Sequence, residues 1–229
     1  MQHNERQQTI ERILTERGRV SVRALAAELF VSEMTVRRDL ELLEKDGVVK
    51  RYHGGAVSQA PEQPVSVRYF LMNEEKKRLA TKAAAYLENA QTVFLDSSSS
   101  VAYLVPHIAQ KKDVRVITNS VRTLLLLQDW HIPAMLLGGD YYEKDMCTVG
   151  PITQNAARDI NADVAFLSCK GIAEGKLSDS DGAQAAIRRE IAAGAGKTIC
   201  ILDTSKFGKK YTFTVLRESD ITALITEIE

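Results

Sequence analysis

The sequence predicts an α/β domain with a largely parallel sheet, preceded by a smaller helical domain. Six apolar runs, TVFLD, VRVIT, AMLLGG, DVAFLS, TICILD and ITALIT, alternate with helix-like segments and indicate the larger domain. A short, Arg-rich helical stretch indicates the smaller one. Between them, QAPEQPVS at residues 59–66 carries two of the five prolines and is typical of a linker. We therefore expect a first domain at residues 1–57, a linker at 58–73 and the α/β domain at 74–229.

The composition is that of an ordinary globular protein, with 229 residues, 45% hydrophobic and 26% charged. Lys plus Arg and Asp plus Glu both number 30, so any nucleic-acid partner must be bound by a local patch. The first residues, MQHNERQQ, contain no apolar signal segment, and runs such as TLLLLQ are too short to span a bilayer. We expect a cytoplasmic protein with no membrane partner.

The three cysteines predict buried, reduced thiols. Cys147, Cys169 and Cys200 are odd in number and show no C-x-x-C spacing, which disfavours disulfides and zinc. We expect no metal site and no cofactor.

The first two helices of the small domain follow from spacing and caps. Apolar residues recur at helical intervals in ERQQTIERILTERG, and Gly18 stands where a C-terminal cap is expected. In SVRALAAELF, Ser21 is the expected N-cap, and Leu25 and Leu29 are expected to be buried.

The third helix, in VSEMTVRRDLELLEKDG, carries the strongest pattern. Ser32 is a good N-cap, and Gly47 ends the run. Val36, Leu40 and Leu43 form one apolar stripe. Two helices joined by a tight turn are the helix-turn-helix pattern.

The outer face of this helix is the candidate for reading bases. The N-terminal turns of a recognition helix enter the major groove, where arginine suits guanine edges and phosphate. The candidate contacts are Ser32, Met34, Thr35, Arg37 and Arg38. Taken alone, the arginine pair also fits an ordinary solvated helix face.

The next segment, VVKRYHGGAV, favours the DNA interpretation. Gly54 and Gly55 lie between strand-type ends and predict a hairpin. Lys50, Arg51 and His53 would then lie on a wing along the phosphates.

VSEMTVRRDLELLEKDG and RYHGGA resemble the DNA-binding end of the DeoR family of bacterial transcriptional regulators. The resemblance covers essentially the whole first domain and implies double-stranded operator DNA as partner. Residues 1–60 hold ten Lys or Arg against nine Asp or Glu, so the domain is not strongly basic. We therefore expect a few well-placed contacts and a homodimer or homotetramer to supply the affinity.

The rest of the chain is also similar to this family in VFLDSSSS, VRVITNS, LLGGDYY, ADVAFLSCKGI and ILDTSKFGKK. The resemblance implies a fold of the ribose-phosphate isomerase type that binds a phosphorylated sugar or related metabolite, which alters the hold on DNA. It thus implies a regulator, most often a repressor, of a carbohydrate-metabolism operon.

The serine-rich loop after TVFLD is the first candidate effector site. A strand ending before a hydroxyl-rich loop and a helix near Val101 would gather N–H donors that favour an anion. The predicted phosphate cradle comprises Asp96, Ser97, Ser98, Ser99 and Ser100. An N-cap followed by an exposed loop is an equally good interpretation of this loop alone. A nucleophile is disfavoured because the stretch is not G-x-S-x-G.

Three further loops follow strands where open α/β sheets bind ligands. Their candidate residues are Thr118, Asn119, Ser120, Gly138, Gly139 and Lys206. The alternatives are ordinary turn residues, a turn needing positive φ and a solvated lysine. The role of Lys206 in ligand binding is implied by resemblance to the family's D-S-S-K-F-G motif.

Some residues depart from the family pattern. Ser98 stands where many members have glycine in D-S-G-T-T, and Lys170 stands where many have an uncharged or acidic residue. Lys170 is a candidate to select an anionic effector. Asp179 and Asp181 in LSDSDG are expected to solvate a loop rather than bind sugar hydroxyls.

Two other function classes compete with the regulator. A sugar-phosphate isomerase-like enzyme needs a positioned base, and the chain lacks the D-G-A-D-E and K-G-x-G-G runs of ribose-phosphate isomerases. A helix-turn-helix that serves only as a protein-interaction surface predicts that changing Arg37 and Arg38 leaves DNA affinity unchanged.

Overall fold

The computed structural model describes residues 5–17, 19–52, 54–58 and 73–227. The chain divides into two compact units, Met1–Met72 and Asn73–Glu229, which we call the N-terminal and C-terminal units. Gly18, His53 and most of the predicted linker lie outside the described residues.

The N-terminal unit is a winged helix-turn-helix. Its elements are α1 (Glu5–Arg17), β1 (Arg19–Ser21), α2 (Val22–Glu28), α3 (Glu33–Lys45), β2 (Val49–Tyr52) and β3 (Gly55–Ser58). The strands form an antiparallel sheet in the order β1-β3-β2, and β2 and β3 make the wing. The predicted hairpin is therefore present.

The caps and the core of this unit agree with the sequence pattern. Ser21 Oγ accepts from the N–H of Ala24, and Ser32 Oγ accepts from the N–H of Thr35, which fixes the starts of α2 and α3. The apolar stripe of α3 is buried, whereas Leu29 is only partly buried against the same core.

The C-terminal unit is built around a six-stranded parallel sheet. The helices are α4 (Asn73–Ala83), α5 (Ser99–Ala102), α6 (Val105–Ile108), α7 (Val121–Asp129), α8 (Pro151–Arg158) and α9 (Gly182–Gly194). The sheet strands are β4 (Thr92–Leu95), β5 (Arg115–Thr118), β6 (Ala134–Leu136), β9 (Val164–Leu167), β12 (Lys197–Ile201) and β14 (Ala223–Ile225). These are the six runs predicted from the sequence.

The strand order is β14-β12-β9-β4-β5-β6, and all five pairings are parallel. The chain builds outward from β4 through β5 and β6, then returns to the other side of β4 with β9. The direction of winding therefore reverses between β4 and β9. In open α/β sheets, the crevice at the carboxyl ends of such strands is the usual ligand site.

Successive residues of the central strands face two separate cores. In β4, Val93 and Leu95 pack into one apolar cluster with α4 and α6, and Phe94 packs into the other with α8 and α9. This alternation follows from the two-residue period of a strand. The result is a sheet with a helical layer on each face, and the α/β prediction is confirmed.

Two smaller antiparallel sheets were not predicted. One pairs β7 (Asp140–Tyr142) with β8 (Cys147–Val149), and the other joins β10 (Gly171–Ala173), β11 (Lys176–Asp179) and β13 (Phe213–Arg217). Most of these strands have only three or four residues, too few for a clear periodic pattern.

Candidate DNA and effector sites

The outer face of α3 presents the predicted base-reading residues. Met34 is 74% exposed, Thr35 is half-buried, and Arg37 and Arg38 are exposed. Arg37 lies 3.5 Å from Glu33 in an ion pair along the helix. For Arg38, the described part of the chain offers no hydrogen bond or ion pair, so its guanidinium is available to a ligand.

A buried carboxylate fixes α3 against α1. Asp39 accepts from Arg6 Nε at 2.6 Å, from Arg6 Nη2 at 3.2 Å and from Gln7 Nε2 at 3.3 Å. The hydrogen bond and charge of Asp39 raise the pKa of Arg6. Beside this pair is a recess of about 360 Å³, which Met34 and Arg38 also line. The α1 contact therefore helps to orient the outer face of α3.

The wing is tied to α3 by Arg51. The guanidinium of Arg51 donates to Glu41 and Glu44 at 2.8 Å each, and the backbone N–H of Arg51 donates to Glu44 at 2.7 Å. A phosphate would have to compete with these carboxylates for Arg51. Lys50 is exposed. His53 lies outside the described residues.

Asp96 anchors the serine-rich loop at the point where the winding reverses. It is 1% exposed, and Oδ1 accepts from the N–H of Ser98 at 2.8 Å. Oδ2 accepts from the N–H of Ser168 after β9 and from Arg188 Nε, both at 2.9 Å. Asp96 therefore connects the loops that follow β4 and β9, and its carboxylate is already occupied by the protein.

The predicted phosphate cradle differs from expectation in one respect. The helix after the loop begins at Ser99, close to the predicted start near Val101, but α5 has only four residues. Because a macrodipole needs aligned peptide units, the helix contributes little to anion binding here. Ser99 and Ser100 are buried, and Ser98 Oγ is buried with no hydrogen-bond partner among the described residues.

Ser97 belongs to a buried polar cluster around Gln184. Gln184 Nε2 donates to Ser97 Oγ at 3.1 Å, to Cys147 Sγ at 2.9 Å and to Asp145 Oδ2 at 3.3 Å. Burial raises the pKa of the Cys147 thiol to about 12, so it stays protonated and is a poor nucleophile at neutral pH. Burial also raises the pKa of nearby Tyr142.

A buried ion network lies behind the serine loop. Arg188 bridges Asp96 and Asp179 at 2.9 Å each, and Lys170 Nζ lies 3.4 Å from Asp179 and donates to Ser180 Oγ at 2.6 Å. Burial alone would raise the pKa of Asp179, but Arg188 and Lys170 hold it below its usual value. The two aspartates also raise the pKa of Arg188 against the effect of burial.

The network corrects one expectation. Asp179 is 2% exposed and ion-paired, so the prediction that it solvates a loop is wrong. Its neighbour Asp181 caps α9 by accepting from the N–H of Gln184 at 2.8 Å. Both carboxylates serve the structure.

The TNS loop after β5 uses its side chains internally. Thr118 Oγ1 accepts from the N–H of Ser120, Asn119 Nδ2 donates to the Thr148 carbonyl, and Ser120 Oγ caps α7. All three predicted residues are buried. They lie at and after the carboxyl end of β5, beside β4, where they fix the shape of the loop.

The GGD loop requires glycine for a steric reason. Gly139 has φ +143°, and a Cβ there would collide with Thr153 Oγ1 and the Val149 carbonyl. Gly138 is exposed, and its carbonyl accepts from Thr153 Oγ1 at 2.7 Å. The alternative of a turn with positive φ describes Gly139.

The loop after β12 brings Lys206 close to the Lys170 segment. Lys206 is half-buried in a single helical turn that Asp203 caps by accepting from the N–H of Ser205. Two residues later, the N–H of Gly208 donates to the Ile172 carbonyl in β10 at 2.9 Å. Lys206 and Lys170 thus lie on two segments that the chain ties together.

Sequence reasoning missed Gln184 and Arg188, which hold the serine loop from α9. In AQAAIRREIAA, an arginine looks like an ordinary surface residue. The signal was in the helical spacing: these two residues share a face with Ala185, Ile187 and Ile191, all buried. Polar residues on an apolar face predict a buried network.

Among the described residues, no helix is long and apolar enough to cross a membrane, and no cluster of His, Cys, Asp or Glu could hold a metal ion. The three cysteines are free and buried, as the sequence predicts.

Two family models match the chain. The DeoR-like helix-turn-helix domain matches residues 6–62, and the DeoR C-terminal sensor domain matches residues 72–228. An HTH-type transcriptional regulator of Bacillus subtilis, YulB, is 34% identical over 97% of this chain and 88% of its own length. The lactose phosphotransferase system repressor of Streptococcus mutans is 31% identical over 100% and 94%. The glycerol-3-phosphate regulon repressor of Escherichia coli is 28% identical over 99% and 92%.

Two solved structures resemble part of the chain. The delta subunit of eIF2B from Chaetomium thermophilum has a TM-score of 0.53 at 19% identity, covering 69% of this chain and 57% of that chain. A D-ribose-5-phosphate isomerase has a TM-score of 0.44 at 21% identity, covering 59% and 54%. The chain therefore spans little more than half of either solved chain.

Proposed function

The chain belongs to the DeoR family of transcriptional regulators, and from that premise we propose that it represses a carbohydrate-metabolism operon under the control of a phosphorylated sugar. The observation that carries the effector half is the meeting of the β4 and β9 loops where the sheet reverses its winding. The names of two relatives, a lactose phosphotransferase system repressor and a glycerol-3-phosphate regulon repressor, favour this class.

Operator DNA is bound by α3 and the wing. The guanidinium of Arg38, which has no partner among the described residues, supports a direct contact with a guanine edge or a phosphate, and Met34 and Thr35 stand beside it on the first turns. Lys50 on the wing contacts the phosphate backbone of the DNA. Arg51 positions the wing through its pairs with the carboxylates of Glu41 and Glu44. Because an operator usually presents two half-sites, a homodimer or homotetramer is the binding form.

The effector binds at the carboxyl ends of β4, β9 and β12. The hydroxyls and N–H groups of Ser98, Ser99 and Ser100 suit phosphate oxygens, and Lys206 supplies positive charge. Lys170, which the network holds beside Asp179, adds to the positive potential of the site. The buried network behind the loop is already satisfied, so it holds the loop in shape for the ligand. This pre-organisation lowers the entropic cost of binding.

Effector control follows from differential affinity. A sugar phosphate that binds one arrangement of the regulator more tightly shifts the population toward it, and the difference between its affinities for the two arrangements sets the upper limit of that shift. The enzyme alternative loses support because Asp96 and Asp179 are ion-paired to Arg188 and are poor candidates for a general base.

The test measures binding of the purified full-length protein to fragments of DNA flanking its own gene, at fixed salt, with and without a panel of sugar phosphates. We expect one fragment to bind specifically and one phosphate ester to change its affinity. Ser99→Ala and Lys206→Ala should each reduce that response, whereas Lys209→Ala, an exposed lysine in the same loop, should leave it unchanged. If both Ser99→Ala and Lys206→Ala keep the full response to the effector, the proposed effector site is wrong.

DNA binding has its own variants. Arg38→Ala should weaken operator binding and relax sequence preference, whereas Lys50→Ala should weaken operator and random duplex alike. Unchanged affinity in Arg37→Ala and Arg38→Ala would favour the protein-interaction alternative. No binding to any fragment, together with turnover of a sugar phosphate, would favour the enzyme.

A further inference from the structure

The turn between α2 and α3 holds an aromatic residue where the backbone favours glycine. The N–H of Leu29 donates to the Leu25 carbonyl at 2.9 Å, and the N–H of Val31 donates to the Ala26 carbonyl at 3.1 Å. The first is the last helical bond of α2, and the second is the six-to-one bond of a Schellman-type cap, in which the residue after the C-cap is left-handed. That residue is Phe30, with φ +53°.

Phe30 gains nothing from its position within the described part of the chain. A residue with a Cβ is less stable than glycine in the left-handed region, and a large aromatic side chain gives its greatest stabilisation when buried. Phe30 is 95% exposed. The fold alone would be at least as stable with glycine here, so the ring points to a contact outside the domain.

The neighbours of Phe30 identify that contact. Ser32, two residues later, caps α3, and Met34 in its first turn is 74% exposed. The two apolar side chains therefore flank the end of the recognition helix that approaches base edges. A phenyl ring has no hydrogen-bonding group, and the apolar group that the major groove presents is the C5-methyl of thymine.

We propose that Phe30 contacts operator DNA by packing on a thymine methyl at the edge of the major groove, with Met34 in the same apolar surface. The proposal rests on the proposed DNA-binding function and adds a specificity-determining residue to it. A ring covered by a second copy of this chain is the competing occupant, and the experiment separates the two.

The C-terminal unit supplies a matched control. After α7, the N–H of Ile132 donates to the Leu127 carbonyl at 2.9 Å. His131, which lies between the C-cap Trp130 and Ile132, is exposed and has φ +54°. His131→Gly relieves the same backbone strain as Phe30→Gly, but in the other unit. An effect on DNA binding that Phe30→Gly alone shows therefore belongs to the turn between α2 and α3, and the deoxyuridine duplexes below assign it to the ring.

The experiment first lets the full-length protein select a duplex from a random-sequence pool. The selected duplex is then remade with deoxyuridine in place of each thymine in turn, which removes one methyl group. Affinities are measured for the parent protein, Phe30→Gly and His131→Gly, with oligomeric mass by sedimentation and thermal unfolding by circular dichroism.

We expect Phe30→Gly to fold with unchanged or higher melting temperature and to lose about tenfold in affinity, as does one deoxyuridine duplex with the parent protein. The two losses should not add, because both remove the same contact. His131→Gly should retain the parent affinity.

Three results would overturn the proposal. These are unchanged affinity in Phe30→Gly, additive losses with every deoxyuridine duplex, and a change of oligomeric mass that accounts for the lost affinity. If the parent protein selects no duplex at all, the proposed function itself fails, and the Phe30 contact fails with it. The parent measurement thus tells the two failures apart.

Discussion

In each unit an arginine–carboxylate pair holds part of a candidate site: the serine-rich loop in the C-terminal unit and α3 in the N-terminal unit. The two pairs are buried to different extents. In the C-terminal unit, the side chains of Arg188 and Asp96 are 7% and 2% exposed. In the N-terminal unit, Arg6 is 38% exposed and its partner Asp39 only 5%. The wing pair between Arg51 and Glu41 is 37% and 59% exposed. The same chemistry therefore appears at three depths.

Burial decides how much stability each unit loses when one partner of its pair is removed. A partner left behind in water is hydrated again, whereas a partner left behind in the core keeps an uncompensated charge. The serine loop is therefore held by a rigid and vulnerable network, whereas the recognition helix and wing are held by pairs that tolerate loss. Substituting one partner at each depth turns this comparison into three measurements.

Arg188→Met should have the largest effect. It leaves Asp96 and Asp179 buried without a counter-charge, which costs about 3–5 kcal/mol of unfolding free energy. The single tryptophan, Trp130, lies in the C-terminal unit, so its fluorescence in denaturant reports this unit alone. Arg158→Met removes an exposed pair with Glu190 and serves as the control. Equal losses in the two variants would contradict the role of burial.

Asp39→Ala should have an intermediate effect. Gln7 loses its acceptor, but the half-exposed Arg6 can be hydrated, so we expect a cost of about 2 kcal/mol in the N-terminal unit. Hydrogen exchange of α1 and α3 amides measures that unit separately. DNA affinity should fall as well, since α1 no longer orients α3. A stability loss as large as that of Arg188→Met would contradict the conclusion that the cost depends on how deeply both partners are buried.

Arg51→Ala should have the smallest effect on stability. Its pairs with Glu41 and Glu44 lie at the surface, so we expect the smallest loss of stability of the three variants, and one that shrinks at high salt. The salt dependence of DNA binding by Arg51→Ala tests whether Arg51 also contacts DNA. If Arg51 also contacts a phosphate, the slope of log affinity against log salt should decrease by about 1, and otherwise the slope should not change.

The sequence predicted the elements whose pattern is local. Six apolar runs became the six strands of the parallel sheet, and Ser21 and Ser32 became N-caps, because period and cap chemistry act over a few residues. The short strands β7, β8, β10 and β11 were missed because three or four residues carry little periodicity.

The candidate site was harder to predict because its partners are distant in sequence. Asp96 lies 92 residues from Arg188, and Ser97 lies 87 residues from Gln184. No local pattern pairs them, so Asp179 was expected in a solvated loop although it is buried. The loops themselves were located correctly, since carboxyl ends of parallel strands meet at one edge.

The distance between Asp96 and Arg188 also sets an order of events during synthesis. The N-terminal unit has all its described elements once residue 58 is made, whereas the serine loop waits for a partner 92 residues further on. At about 5–20 residues per second, that wait lasts roughly 5–20 seconds. Throughout it, the helix that reads DNA can already be folded, while the carboxylate that shapes the sensor still has no arginine to hold it. During synthesis, the unit proposed to bind DNA would thus be able to fold before the serine loop of the proposed effector site does.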